Sequence, residues 1–529
     1  MTNVLAARAG RPARLWMPFV VIAAAAAASL WLALDVFTVS SPDFTRFVWQ
    51  ADHLSTSDAW TWVNPFHPFG YPLALRALRR FTSDHLITAR AINSVAAVAA
   101  LVACWRIASA LHERMAAAVF GVIAVALSRE FVTGLRTESP DVAMAAAALW
   151  SVALLVGPRT PRRLLLAGAA AGLAFLLRYQ GLIVLAIGLV LGGLVSRRPG
   201  EPGAGRYRTT AGLFLLGFVL AAFPQLVMSA IAAGNPLYNL QEINAGINLW
   251  GVDWHDFRRS TDAYTPAYVL THDVGAFFGR WGSSLARALS GLGAFAVAIV
   301  LPAWLLESTA NRARVALFVA GAALLYVVAM SSGFYQPPDA IVSAALLRLL
   351  IAGTGALWLT HSRRSSYRLR VAALVGVTFA AWIAADVIRD VRDLRSVRLA
   401  HAVNAEISKT LHDQGLTDPA QVLTTSFEWH DTLDAARRSF YTYGGALQLD
   451  PAWTAAFPRP EITDVSSLDR FAAAHKICFL LLSADADRVM PDIAASAARA
   501  SLGPSFALVW RDGARSIWKY RACGAVRTS

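Results

Sequence analysis

Asp43 has the residue type and the setting best suited to chemistry. It stands in Ser41-Pro42-Asp43-Phe44, where Ser41 and Pro42 read as an N-cap and a first helical position. The helix dipole favours an ionised carboxylate in such a first turn, and an ionised carboxylate at a wet surface can take the proton of an attacking hydroxyl, the work of a general base. The same pattern fits a carboxylate that only caps its helix, and the local residues leave both readings open. Phe47 and Ala51 follow at i+4 and i+8, giving the helix an apolar face. A stiff segment comes next, Asn64-Pro65-Phe66-His67-Pro68-Phe69-Gly70-Tyr71-Pro72. Two further acids, Glu138 and Asp141, open a later apolar run, a place where an acid needs a partner or a water-filled cavity. Asp141, directly after Pro140, also suits a helix cap. His67 and His53 could join Asp43 or Glu138 around a divalent cation, because imidazole and carboxylate are common ligands. The spacing is not that of a tight ligand set, however, and His67 equally suits a hydrogen bond within its own loop.

The elements that must position these residues are membrane spans. The chain has 529 residues, 56% of them apolar and only 16% charged, with a mean hydropathy of +0.47. Its apolar runs are about 20 residues long, the thickness of a bilayer core in helix. The net charge of +14 comes from arginines at the ends of these runs, where they orient spans, so it is not the footprint of a nucleic-acid surface. The first span runs from about 15 to 34, remains as an anchor, and lacks a small-residue cleavage site. Later spans are expected near 88–110, 114–129, 139–157, 163–178, 180–196, 210–232, 285–306, 312–331, 339–360 and 369–388. Arginine-rich connections alternate along this series, which predicts a polytopic α-helical protein of about eleven spans with a cytoplasmic N-terminus.

The large segments then accumulate on the extracytoplasmic side. The predicted organisation is a membrane domain over 1–388, carrying loops 36–87 and 233–284, and a soluble α/β domain over 389–529. Within the latter, 397–411 reads as a helix, 421–427 and 477–482 as strands, and 506–520 as a hairpin around Asp512-Gly513. It contains no phosphate-binding glycine loop and no metal-spaced Cys/His cluster. Cys478 and Cys523 fall where disulfides persist; pairing and two free core thiols are both open. Cys104 reads as a small buried hydrophobe.

The run Ser-Pro-Asp-Phe-Thr-Arg-Phe-Val-Trp-Gln-Ala followed by His-Pro-Phe-Gly-Tyr-Pro-Leu-Ala-Leu resembles the first extracytoplasmic loop of the GT-C glycosyltransferases. This superfamily includes protein O-mannosyltransferases and lipid A aminoarabinose transferases. Three more landmarks follow in order: Arg136-Thr137-Glu138-Ser139-Pro140-Asp141, Leu177-Arg178-Tyr179-Gln180-Gly181 and Gly234-Asn235-Pro236-Leu237-Tyr238-Asn239. The resemblance covers roughly 15–360 and reaches the C-terminal segment only as a shared architecture. It implies a multi-pass enzyme of the plasma (inner) membrane that moves a sugar, with inversion, from a polyprenyl phosphate to the hydroxyl of a lipid, glycan or protein acceptor.

On that reading Asp43 is the general base and Glu138 a second catalytic acid. Breaking the glycosyl bond leaves extra charge on phosphate, so the site needs a cation or fixed donors at the leaving oxygen. Arg136 and Arg178 stand at outer span ends and can grip phosphate in a bidentate way, although snorkelling explains many such arginines. His67, Tyr71, Asn235 and Tyr238 complete the candidate substrate-binding set, and a divalent metal on Asp43, His67 and Glu138 is left open. Two departures stand out: a single acid, Asp43, occupies the first-loop motif where many relatives have two, and Arg348 lacks the prolines that accompany a late-span arginine. Two other classes fit a polytopic chain, a flippase of lipid-linked substrates and a non-catalytic envelope assembly protein. The first would place charges near the midplane and paired broken helices, whereas these acids collect on one face.

Overall fold

In the computed structural model the described residues are 2–34, 42–55, 57–64, 66–82, 85–112, 115–156, 160–196, 203–239, 266–279, 282–283, parts of 341–349, 366–417, 421–424, 462, 464–482, 491–499, 501–513 and 515–524. Long runs rich in Ala, Leu and Val become helix, even with Pro224 inside one of them, because in an apolar medium only helices satisfy every backbone group within one segment. In chain order these are α1 (Thr2–Leu34), α2 (Pro42–His53), a 3-10 turn (Ala59–Trp62), α3 (Gly70–Leu78), α4 (His85–His112), α5 (Met115–Ala126), α6 (Arg129–Arg136), α7 (Asp141–Val156), α8 (Pro161–Leu177), α9 (Gly181–Ser196), α10 (Gly203–Ala233) and α11 (Pro266–His272). Then come α12 (Ser366–Asp413), β1 (Val422–Thr424), α13 (Val465–His475), β2 (Phe479–Leu482), α14 (Pro491–Ala498), β3 (Phe506–Asp512) and β4 (Arg515–Tyr520).

Among the described residues three helices are long and apolar enough to cross a membrane: Trp16–Ala33, His85–Ala110 and Arg208–Ala233. A fourth span results if Ala118–Ala126 and Arg129–Arg136, bent by 48° at their junction, count as one. The helices at the expected spans 139–157, 163–178 and 180–196 have only 16, 17 and 16 residues, or about 24–26 Å at 1.5 Å per residue, short of a full bilayer core. The expected spans 285–306 and 312–331 lie outside the described residues, as does most of 339–360. Large apolar side chains stay exposed along α1 (Trp16, Phe19, Val20, Trp31) and α10 (Leu215, Leu220, Phe223). Such patches are the surfaces a lipid phase would cover.

α7 packs against α4 and α8, and α8 packs against α10. The last contact depends on small residues. A Cβ on Gly168 would collide with the Phe214 carbonyl oxygen, and one on Gly217 with the Leu165 carbonyl oxygen. This close backbone approach is the usual substitute for hydrophobic association between helices in lipid.

The C-terminal strands form a four-stranded sheet in the order β1-β2-β4-β3, with β1 and β2 parallel and the other pairs antiparallel. β3 and β4 are joined at Asp512-Gly513, where Gly513 takes φ 54°, a conformation glycine adopts without steric cost. All four residues of β2 are buried, as befits a strand covered on both faces. One face carries Leu423, Leu480, Leu482 and Trp518 under α13 and α14. The other carries Val422, Phe479, Leu481 and Ile517 against Ile407 and Leu411 of α12. Cys478 and Cys523 are joined in a disulfide, their Cα atoms 5.5 Å apart across 45 residues of sequence. By the chain-entropy relation a closed loop of that length is worth about 4 kcal/mol.

Candidate active site

Four segments converge at one end of the bundle, and each is fixed by local chemistry. In the 64–69 loop, Asn64 Oδ1 accepts from the Phe66 and His67 amides at 2.8 and 3.2 Å, an Asx turn. The Asn64 carbonyl accepts from the Tyr179 hydroxyl at 2.9 Å, and the Phe69 amide donates to Gln225 Oε1 at 3.1 Å. Gly70 lies so close to the end of α8 that a Cβ would strike the Leu176 carbonyl oxygen. His67 is thereby held over the α8–α9 turn. Arg178 is the residue after α8, with extended backbone (φ −153°, ψ 139°), and Gly181 closes the turn by donating its amide to the Arg178 carbonyl at 2.9 Å.

Arg178 is buried, and its guanidinium is gripped from two sides. Nε lies 2.8 Å and Nη2 2.7 Å from Asp141 Oδ1, and Nη1 lies 2.9 Å from His67 Nδ1. Arginine only donates, so His67 accepts at Nδ1, which makes the ring neutral with its proton on Nε2. Among the described residues three of the five guanidinium N–H groups are thus used, and one on each Nη has no partner there. Asp141 is the first residue of α7, so the pair joins the start of α7 to the end of α8. The residue that sequence reading set aside as a cap is therefore the anchor of Arg178. Its signal was present as a carboxylate beginning a helix, but pairing partners 37 residues apart are not visible in a linear chain.

Glu138 sits between α6 and α7 and is 1% exposed, and neither carboxyl oxygen has a hydrogen-bond partner among the described residues. Burial pushes its carboxyl well above the ordinary carboxylate range; its own backbone amide and the Arg90 charge act in the opposite direction. Its turn is held by α4, because Asn93 donates to the Thr137 carbonyl at 2.8 Å. The Tyr71 hydroxyl is also buried without a partner among the described residues. Burial, then the charges of Glu138 and Asp141, raise its phenol, while Arg178 lowers it. Phe47 joins the group edge-on, its ring 4.9 Å from that of His67 and 5.2 Å from that of Tyr71. Asp43 is the second residue of α2, one helical turn before Phe47; its side chain lies outside the described part of the structure.

The other expected site residues are elsewhere. Arg136 is buried with Nε and Nη2 on the Leu32 carbonyl at 3.3 and 3.2 Å, Nη2 on the Asp390 carbonyl at 3.1 Å and Nη1 3.7 Å from Asp390 Oδ1. Asn235 is exposed, and its Oδ1 accepts from the Leu237 amide at 2.9 Å, a turn of the same kind as at Asn64. Tyr238 packs edge-on against Trp60 with ring centroids 5.9 Å apart. Arg348, buried, binds Asp386 at 2.7 Å and Glu130 at 3.2 Å. The second-loop residues 251–265, with Trp254, His255 and Asp256, are outside the described residues. Among the described residues no group of three His, Cys, Asp or Glu is placed to hold a metal ion.

Residues 66–226 match the family model for dolichyl-phosphate-mannose-protein mannosyltransferase. The chain also matches two crystal structures of ArnT from Cupriavidus metallidurans. With the apo form the TM-score is 0.57 at 16% identity, covering 96% of this chain and 98% of that one. With the form bound to undecaprenyl phosphate it is 0.55 at 15% identity, covering 94% and 97%. At such identities the likeness is one of fold. No curated protein matches the chain in sequence.

Proposed function

We propose, from a chain that shares the fold of the GT-C transferases, a membrane glycosyltransferase that moves a sugar from a polyprenyl phosphate to an acceptor hydroxyl. The observation that supports this reading is Arg178: a buried guanidinium with three N–H groups on Asp141 and His67 and, among the described residues, no partner for the remaining N–H on each Nη. A preorganised cation with two adjacent donors suits the oxygens of a phosphate, and it acts most strongly as charge builds on them. The crystal structure of ArnT bound to undecaprenyl phosphate supports a lipid phosphate as the donor's carrier.

The reaction divides the work between two groups. The acceptor oxygen forms a bond to the anomeric carbon from the face opposite the phosphate, and the carbon–oxygen bond to phosphate breaks with its electron pair passing to the leaving oxygen. Arg178 stabilises that oxygen. Asp43 takes the acceptor proton. Glu138, buried and disposed to keep its own proton, together with the Tyr71 hydroxyl, supplies hydrogen bonds to the sugar or the acceptor. In this arrangement the N-terminus is cytoplasmic and the site and the 389–529 domain are extracytoplasmic, in about eleven spans, and the Cys478–Cys523 disulfide agrees with an oxidising compartment.

The test is transfer by purified protein in lipid, supplied with a radiolabelled polyprenyl-phosphate sugar and extracts of envelope lipid, glycan and protein. Label moving to one acceptor fraction in wild type, and not in Asp43→Asn, supports the reading. Carrier translocation across vesicles without transfer of label assigns the chain to the flippases instead.

A further inference from the structure

α12 carries a stripe of acids that the proposed reaction does not use. Asp386, Asp390 and Asp393 recur at intervals of four and three and so share one face of the helix. Each meets an arginine: Asp386 meets Arg348 at 2.7 Å, Asp390 meets Arg136 at 3.7 Å, and Asp393 meets Arg129 at 3.4 Å. Arg129 and Arg136 are the two ends of α6, and Glu130, between them, shares Arg348 at 3.2 Å. The Arg136 guanidinium also holds the Asp390 and Leu32 carbonyls, which ties α6, α12 and the end of α1 into one joint. Asp390 is fully buried, yet neither of its carboxyl oxygens has a hydrogen bond among the described residues. A buried pair so poorly satisfied is a weak source of stability compared with apolar packing, and its best-attested use is to fix register between elements.

The two elements in register are the site and the sheet. Glu138 lies two residues beyond Arg136. Further along the same α12 stripe, 21 and 25 residues after Asp386 and hence close to whole numbers of turns, Ile407 and Leu411 enter the sheet core. Glu406 accepts from Trp510 Nε1 at 3.1 Å, and the Gln414 carbonyl accepts from Lys519 Nζ at 2.6 Å. We infer that Arg136 and Asp390 are positioning residues: they lock the α6–α7 turn, and with it Glu138, to the helix that carries the C-terminal sheet. A ligand or partner that shifts the sheet thereby acts on the site. The functional half of this inference rests on the reading of Glu138 as a site carboxylate.

The test uses the full chain in lipid nanodiscs and reads hydrogen exchange and transfer side by side. In Asp390→Asn the amides of 134–141 should exchange about tenfold faster, and kcat should fall by about the same factor. KM for the donor should stay within about twofold. Arg129→Ala, at the exposed end of the stripe, should leave both readouts at wild-type values. Should Asp390→Asn fold poorly, the double variant Arg136→Met with Asp390→Leu restores an apolar joint; normal thermal stability with fast exchange at 134–141 supports the positioning role. Wild-type exchange at 134–141 in a folded variant overturns the inference. If wild-type protein transfers no sugar, the glycosyltransferase reading fails while the exchange arm still decides the coupling.

Discussion

Arg136 and Arg178 are alike in sequence terms, each an arginine beside a helix end in the same layer, and the fold uses them in opposite ways. Arg136 directs its guanidinium to two main-chain carbonyls and Asp390, so its charge serves the joint between helices. Arg178 has its fork aligned by one oxygen of Asp141 and by His67, and donors remain for something else. The difference shows that an arginine's use depends less on its depth than on whether its partners are carbonyls, which absorb donors, or a single carboxylate oxygen, which orients the fork. A cation that binds phosphate must be both held and incompletely satisfied.

The largest effect is expected where that comparison has its chemical counterpart, at Asp43. Asp43→Asn keeps size and capping ability but cannot take a proton, so turnover should fall by about 10² to 10⁴, with donor binding retained by equilibrium titration. Near-normal turnover on folded protein would reduce Asp43 to a helix cap and break the division of labour.

The arginine contrast can be tested directly by lysine. Arg178→Lys keeps the charge and loses the fork, so donor KM should rise about tenfold, with a larger loss in Arg178→Ala. Arg136→Lys should leave donor KM alone and lower kcat and thermal stability, the latter by about 1 to 2 kcal/mol for lost carbonyl bonds. If both lysine variants gave the same pattern, the two arginines would not differ in role.

Asp141→Asn sharpens the same point without touching a cation. An amide oxygen holds the guanidinium less firmly, and kcat/KM for the donor should fall by about tenfold, corresponding to about 1.4 kcal/mol of lost charge-assisted bonding. Unchanged donor kinetics would mean that Arg178 needs no anchor.

The smallest effect is on stability, at Glu138. Its carboxyl is raised by burial above the ordinary value of 4.5. The unfolded chain therefore releases this proton at lower pH than the folded protein does, and stability contributed by the neutral form is full below about pH 4.5 and lost as pH rises toward the folded value. Glu138→Gln removes the titration. Its melting temperature should match wild type near pH 4 and exceed it by about 2 °C at pH 8, while transfer declines. Equal melting temperatures at both pH values would show that Glu138 is not held in its neutral form.

The division between what was legible and what was not follows from range. Composition and the spacing of apolar runs determined that the chain is a helical membrane protein, because a bilayer restricts spanning segments to one length and one hydrogen-bonding solution. Local chemistry determined some details: α2 begins at Pro42, and the hairpin turns at Asp512-Gly513. Each of these depends on neighbours within a few residues. The length of individual helices was less legible. α7 covers 141–156 of the expected 139–157, while α8 begins two residues before its expected start. The partners of the arginines were not legible at all. Arg178 finds Asp141 across 37 residues, and Arg136 finds Asp390 across 254. Such pairs form only when α7 is brought against α8 and α6 against α12. The sequence by itself determined that charges would gather at the ends of apolar runs, because lipid excludes them. Only the tertiary structure decided which of those charges pair, because the partners lie far apart in the chain.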